Sequence, residues 1–263
     1  MSREGHLKVW SAEAGHAHHP LIVLVHGAMD RSTSMLRLSR RLDQQYRVLR
    51  YDRRGYGHSA PHPGPFDIGS QVADLVGLLA GRRAVLVGHS YGGNVAMATA
   101  AQHSALVAGV AIYEVPLPWE PFWPQSSMSA SMGHDGVPTR HAAADAAEAF
   151  MRRLIGDERW LALPERTRAS RRSEGLALVS ELRDLREHRP WAAHDVQVPV
   201  VVGVGSLAGE RYGSGMAHVA QSVEGAVLVC LQSCDHNAPT AAPDQFRRDL
   251  IEPLLHRVGA PWS

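Results

Sequence analysis

An α/β fold, a mostly parallel central sheet with helices on both faces, is what this chain predicts, and three observations predict it. Short apolar runs recur at residues 21–25, 46–51, 84–87, 107–113, 198–204 and 226–231, and continuous runs of this kind belong to strands buried on both faces. Residues 34–42 and 68–79 lie between those runs with apolar side chains at three- and four-residue spacing, the pattern of an amphipathic helix. The run at 84–87 delivers Gly88-His89-Ser90-Tyr91-Gly92-Gly93 into the small-residue stretch 94–101, which reads as strand, sharp turn and helix. Strands alternating with helices pair in parallel and need helices on both faces of the sheet. At 263 residues the chain fits one large domain, or a core with one insertion, and can bury a sizeable apolar core.

Along the chain, Leu7-Lys8-Val9-Trp10 is expected to add an edge strand. The strand at 21–25 runs into His26-Gly27-Ala28-Met29, and the strand at 46–51 into Asp52-Arg53-Arg54-Gly55-Tyr56-Gly57-His58-Ser59. The glycines of that second loop permit tight turns, and Asp52 and Arg53 are expected to tie neighbouring loops. The strand at 107–113 leads directly into Glu114. From there the regularity fails: Pro116, Pro118, Pro121 and Pro124 interrupt residues 115–124, which excludes a regular helix or a central strand. Residues 142–154, 164–173 and 176–188 then read as helices dense in Arg, Glu and Ala. Residues 115–193 are therefore expected to form a helical cap inserted into a core made of 1–114 and 194–263, over the strand ends where open α/β sheets bind ligands. Strands at 198–204 and 226–231 complete the sheet, and a helix over 243–258, interrupted by Pro253, closes the chain.

Ser90 is the expected nucleophile. A G-x-S-x-G segment between strand and helix forces a sharp turn that holds the serine hydroxyl out of the sheet edge, and the flanking glycines remove side chains that would clash. The following helix N-terminus adds unspent N–H groups and partial positive charge. A serine hydroxyl is a poor nucleophile at neutral pH without a positioned imidazole, itself oriented by a carboxylate. His236 fits, in the polar loop Gln232-Ser233-Cys234-Asp235-His236-Asn237 between the last strand and the closing helix. The developing oxyanion needs two donors. Tyr91 N–H, next to the nucleophile, is one; Ala28 N–H is the candidate for the other, with Met29 second.

These motifs, in this order, resemble the α/β-hydrolase superfamily over nearly the whole chain. His26-Gly27 is similar to the family's oxyanion turn, and Asp52-Arg53-Arg54-Gly55-Tyr56-Gly57-His58-Ser59 to its D-x-R-G-x-G-x-S loop. Gly88-His89-Ser90-Tyr91-Gly92 resembles the nucleophile elbow, and Asp235-His236 with Pro243 the late histidine loop. The resemblance implies a serine hydrolase of esterase type with an inserted cap and no cofactor; it is far more specific for fold than for substrate. The chain departs from the family at the acid. Most members place an aspartate just after the strand that follows the cap, where this chain reads Gly203-Val204-Gly205-Ser206-Leu207-Ala208-Gly209-Glu210-Arg211. Some members use the end of the strand after the nucleophile helix, where this chain has Glu114. Glu114 is thus the expected acid, with Glu210 second, and Asp235 or a Ser–His dyad as further alternatives.

A serine with an imidazole base supports acyl transfer to water, so carboxylic esters, thioesters and lactones of small to medium apolar substrates qualify. An acyltransferase or perhydrolase, or a slow-turnover ligand-binding receptor on the same fold, shares these motifs. Epoxide hydrolysis and dehalogenation are disfavoured, because the related enzymes carry an aspartate where this chain has Ser90. Trp119, Phe122 and Trp123, with Met128 and Trp191 in or beside the cap, are candidates for an apolar acyl pocket or for the cap's own core, and Trp160 for that core.

Composition bounds the partners. The net charge of +1 suggests neither a nucleic-acid footprint nor an electrostatic membrane anchor. Lys8 is the sole lysine beside many arginines. No apolar run approaches the roughly 20 residues that span a bilayer, and the first residues lack the apolar stretch of a signal peptide. Cys230 and Cys234, four residues apart, suit neither a disulfide nor zinc and are expected to be free thiols. A reducing cytoplasm is the expected compartment. The sixteen histidines are scattered; His16-Ala17-His18-His19 lacks a framing carboxylate or cysteine, and no metal is expected there.

Overall fold

The computed structural model describes residues 9–123 and 139–259. Its strands are β1 Ser11–Ala14, β2 Leu21–Val25, β3 Arg47–Tyr51, β4 Ala84–His89, β5 Val107–Tyr113, β6 Val200–Gly205 and β7 Val227–Leu231. They form one sheet in the order β1-β3-β2-β4-β5-β6-β7. β1 pairs antiparallel with β3, and all the other pairs are parallel. The helices are α1 Leu36–Leu42, α2 Ile68–Leu79, α3 Tyr91–Gln102, α4 Arg140–Ile155, α5 Asp157–Ala162, α6 Glu165–Ser173, α7 Gly175–Glu187, α8 Glu210–Ser222, α9 Ala238–Ala241, α10 Pro243–Phe246 and α11 Glu252–Val258. Among the described residues no helix is long and apolar enough to cross a membrane.

β2, β4, β5 and β6 are buried along their whole length, which is why each reads as an unbroken apolar run. Successive side chains point to opposite faces, so Val23, Leu86, Val110 and Val202 meet α2, α3 and α8, while Ile22, Val85, Ala111 and Val201 meet α1 and the C-terminal helices. A third apolar cluster joins Met29 and Tyr56 of the core to Met151, Trp160 and Leu178 of the helical insertion α4–α7. Because β2 to β7 all run the same way, the segments after β2, β4, β5, β6 and β7 emerge at one edge of the sheet.

The edge strand lies at Ser11–Ala14, and the described part of the expected one, Val9 and Trp10, is not strand. Leu7 and Lys8 fall outside the described residues, and Val9 and Trp10 are irregular backbone, with Trp10 N–H donating to Ser59 Oγ at 2.8 Å. A solvent-facing edge needs no apolar run: Glu13 pairs with Arg47 and Arg82, and charge on an edge strand opposes further pairing. The closing helix also differs from a simple break at Pro253. Pro253 lies in the first turn of α11, and the backbone widens into a π-turn over Arg247–Ile251 just before it. Proline has no N–H to give and crowds the carbonyl four residues back, and a wider turn relieves both.

Candidate active site

β4 ends at His89 and α3 starts at Tyr91, so Ser90 alone makes the turn, with φ 52° and ψ −127°. That conformation is costly for a residue with a side chain and survives where its surroundings over-determine it. Here Ser90 N–H donates to Tyr113 O at 2.9 Å, and Gly93 N–H donates to Ser90 O at 2.9 Å. A Cβ at Gly92 would lie 2.3 Å from Val25 O, so the helix can approach β2 this closely only with glycine there. The Ser90 hydroxyl makes no hydrogen bond to a described residue.

Glu114 and His236 meet at the same edge. Glu114 is fully buried with φ 47°, which turns its side chain off the line of β5 toward β6. His236 Nδ1–H donates to Glu114 Oε2 at 2.7 Å, and Gly205 N–H donates to Oε1 at 3.0 Å. Of the two neutral tautomers, the carboxylate therefore selects the one with its proton on Nδ1. Two neighbours hold His236 further: the Tyr212 ring stacks on it at 4.9 Å and 20°, and His89 Nε2–H donates to its carbonyl at 2.8 Å. Burial keeps His89 neutral, far below the ordinary histidine value. The alternative carboxylates stand elsewhere. Glu210 opens α8 and is exposed, and the Asp235 side chain accepts from Asn237 N–H at 2.8 Å.

The turn after β2 packs on the serine. A Cβ at Gly27 would be 3.0 Å from Ser90 Cβ. His26 Nδ1–H donates to Gly27 O at 2.8 Å, and burial, with the Arg53 charge next, lowers its pKa to about 3. Ala28 is half-buried, and neither its N–H nor that of Tyr91 finds an acceptor among the described residues. Met29 is buried at φ 54°, with its carbonyl accepting from Arg171 Nη1 at 2.7 Å. Asp52 and Arg53 do tie loops. Asp52 accepts from the N–H groups of Ser32 and His58 at 2.8 Å each, and Arg53 donates to the carbonyls of His26 and Gly27.

The three candidate pocket aromatics separate. Trp123 is buried and packs edge-on against Tyr212 at 5.6 Å, one ring away from His236. Trp119 packs edge-on against Trp191 at 5.8 Å, and Phe122 is exposed against His218 at 5.3 Å. Trp160 is in the cluster between insertion and core, and Met128 lies outside the described residues. Cys230 and Cys234 are free thiols. The rings of His16, His18 and His19 lie within 5.7 Å of one another, yet no group of three or more His, Cys, Asp or Glu side chains among the described residues is placed to hold a metal ion. Sequence reading missed Tyr212, which stands in a polar helix, and the role of His89 as a donor. Neither carries a motif signal.

Residues 22–249 match the model of the alpha/beta hydrolase family. Epoxide hydrolase A of Mycobacterium tuberculosis is 34% identical over 161 residues, which are 55% of this chain and 50% of that protein. Epoxide hydrolase 4 of Mus musculus is 29% identical over 121 residues, 44% of this chain and 34% of that protein. The chain thus spans half or less of the length of these curated relatives. Among solved structures, a thermophilic esterase from Thermogutta terrifontis superposes with a TM-score of 0.71 at 21% identity, covering 95% of this chain and 93% of that one. The enol-lactonase of Burkholderia xenovorans superposes with a TM-score of 0.67 at 27% identity, covering 91% and 94%. A serine on a strained strand-to-helix turn, a seven-stranded sheet in this order and a family match across most of the length agree: the chain belongs to the alpha/beta hydrolase family.

Proposed function

We propose that this hydrolase cleaves carboxylic esters, thioesters or lactones of small to medium apolar substrates through an acyl-enzyme on Ser90. His236 is the base, Glu114 the acid, and the N–H groups of Ala28 and Tyr91 the oxyanion donors, with Met29 second. Residues 115–193 form the cap over a core of 1–114 and 194–263, and Trp123 with Tyr212 forms the apolar wall nearest the base, with Trp119 and Phe122 as further candidates for the pocket. The observation that carries the reading is the 2.7 Å contact between Glu114 Oε2 and His236 Nδ1 at the sheet edge where Ser90 turns.

With Nδ1–H committed to Glu114, Nε2 has a lone pair for the Ser90 proton once the serine side chain rotates toward it. The alkoxide attacks the substrate carbonyl, and the oxyanion forms against the two N–H groups that find no acceptor among the described residues. The imidazolium returns the proton to the departing alkoxide or thiolate, leaving the acyl-enzyme. Water then repeats the sequence, with His236 taking its proton, and Ser90 is released. The serine also weighs against epoxide opening. A carboxylate nucleophile would leave an alkyl ester that water can hydrolyse, whereas Ser90 would leave an ether that it cannot.

A fluorophosphonate should label the protein, with the label lost in Ser90→Ala, and p-nitrophenyl esters of graded chain length should turn over with an optimum that reports the pocket. Labelling that survives in Ser90→Ala refutes the assignment. Rapid labelling with no turnover of any ester favours a ligand-binding receptor.

A further inference from the structure

We infer that Glu181, on α7 of the insertion, is a positioning residue for the oxyanion turn and acts through Arg53. The inference rests on the function proposed above. Both side chains are fully buried and form an ion pair. A guanidinium presents its donors in one rigid plane, and each edge of this one is used. Nη1 donates to Glu181 Oε1, Nη2 reaches Oε2 at 3.4 Å, Nε donates to His26 O at 2.9 Å, and Nη2 donates to Gly27 O at 3.0 Å. The Arg53 backbone N–H also donates to His26 Nε2 at 2.9 Å.

The contact to Gly27 O carries the consequence. That carbonyl and the Ala28 N–H belong to one planar peptide unit and point in opposite directions, so a donor that fixes the carbonyl fixes the aim of the N–H. The guanidinium also lies 4.5 Å over the ring of Tyr91, whose N–H is the other proposed donor. One buried cation therefore binds the carbonyl on the far side of one proposed donor's peptide and packs on the side chain of the residue that carries the other. The position of that cation is set by Glu181, which is itself held by Tyr56 Oη–H at 2.7 Å and Gln71 Nε2–H at 2.8 Å. Removing the carboxylate leaves a buried guanidinium without its counter-charge, free to draw away from the two carbonyls. The insertion thereby does more than cover the sheet edge, since one of its helices sets the geometry of the turn beneath it.

The test compares Glu181→Gln with Asp74→Asn. The control breaks another buried pair, Arg54–Asp74 at 2.7 Å, which touches no part of the turn. Active sites are counted by fluorophosphonate titration, and kcat and KM for p-nitrophenyl butyrate are expressed per titrated site. Outright loss of an oxyanion donor costs about 10²–10³ in kcat. Displacing one should cost about 10- to 100-fold in Glu181→Gln, with KM within about twofold, while Asp74→Asn keeps kcat within about twofold. A merely structural Glu181 would lower thermal stability and the active fraction in both variants and leave kcat per site alike, and that outcome overturns the inference. Glu181→Asp keeps the charge on a shorter stem and should recover part of the lost kcat. If Glu181→Gln does not fold, this variant carries the test, and wild-type kcat in it refutes the idea. Wild-type protein that neither labels nor turns over any ester overturns the proposed function and this inference with it, which separates the two failures.

Discussion

Glu114→Gln tests the proposed triad most directly, because the substitution keeps shape and volume while changing one charge and one acceptor. The carboxylate now accepts two hydrogen bonds, from His236 Nδ1–H at 2.7 Å and Gly205 N–H at 3.0 Å, in a fully buried site. An amide can serve only one of them as an acceptor. If its oxygen faces Gly205, its NH2 meets His236 Nδ1, and the imidazole must take the other tautomer, with a proton on Nε2 where the base needs a lone pair. If its oxygen faces His236, its NH2 opposes the Gly205 N–H. The lost charge-assisted bond costs about 1.5–3 kcal/mol and an unpaired buried donor about 1–3 kcal/mol. Together these are about 2.5–6 kcal/mol, or roughly 10²–10⁴ in kcat. Steady-state hydrolysis of p-nitrophenyl butyrate, scaled to titrated active sites, should show that loss with KM changed no more than a few-fold. Glu210→Gln, at an exposed position on α8, should stay near wild type. The reasoning is refuted if Glu114→Gln keeps kcat within about tenfold of wild type while Ser90→Ala is inactive.

Two further outcomes follow from close packing and from charge. Gly205→Ala places a Cβ 2.2 Å from Cys234 O and 2.6 Å from the Tyr113 hydroxyl, so the β6 end must part from the histidine loop; a loss of about 1–3 kcal/mol or more in urea unfolding is expected, with kcat lowered as well, and unchanged stability would contradict it. The Asp52 carboxyl is held below the ordinary aspartate value: burial alone would raise it, and hydrogen bonds from Ser32 and His58 outweigh that. A group depressed in the folded state contributes its stability above its unfolded value, near pH 4, and loses it as pH falls through the folded value. Asp52→Asn should therefore lower the melting temperature at neutral pH, yet flatten the fall in melting temperature below about pH 4 that wild type shows. Parallel wild-type and variant curves through that range would exclude the Asp52 linkage.

β2, β4, β5 and β6 were legible because they are buried on both faces, and α2 because it carries one apolar stripe. Residues 21–25, 107–113 and 68–79 read from the sequence are the observed β2, β5 and α2 to the residue. Elements without an apolar signature were not. β1 is four polar or small residues held by the β3 ladder and by Glu13 ion pairs, and α5 is a six-residue turn around the single buried Trp160. The candidate site divides the same way. Ser90, His236 and Glu114 stand where the ends of a parallel sheet deliver loop residues, so chain order locates them. Tyr212 and Glu181 meet their partners through tertiary packing alone, and Glu181 is one carboxylate in an Arg- and Glu-rich helix with nothing local to mark it.

The position of the proposed acid follows from the geometry of two neighbouring strand ends. β5 and β6 pair in parallel with Tyr113 opposite Gly203, and Glu114 N–H continues the ladder by donating to Gly203 O at 3.2 Å. Adjacent strands are about 4.8 Å apart, so a side chain of glutamate length can cross from the end of one strand to the space beyond the other. The positive φ at Glu114 turns it that way, and Gly205 N–H receives it. Gly205 itself has no room for a side chain: Cys234 O and the Tyr113 hydroxyl occupy the space that a Cβ there would need. Tyr113 Oη–H donates to Asp235 O at 2.8 Å and so holds the loop that carries His236 against β5. The last two residues of this segment thus act on one imidazole from two sides, Tyr113 through the loop backbone and Glu114 through Nδ1. A side chain at 205 would have to displace the contacts that hold this loop, so the glycine there and the proposed acid at 114 belong to one arrangement.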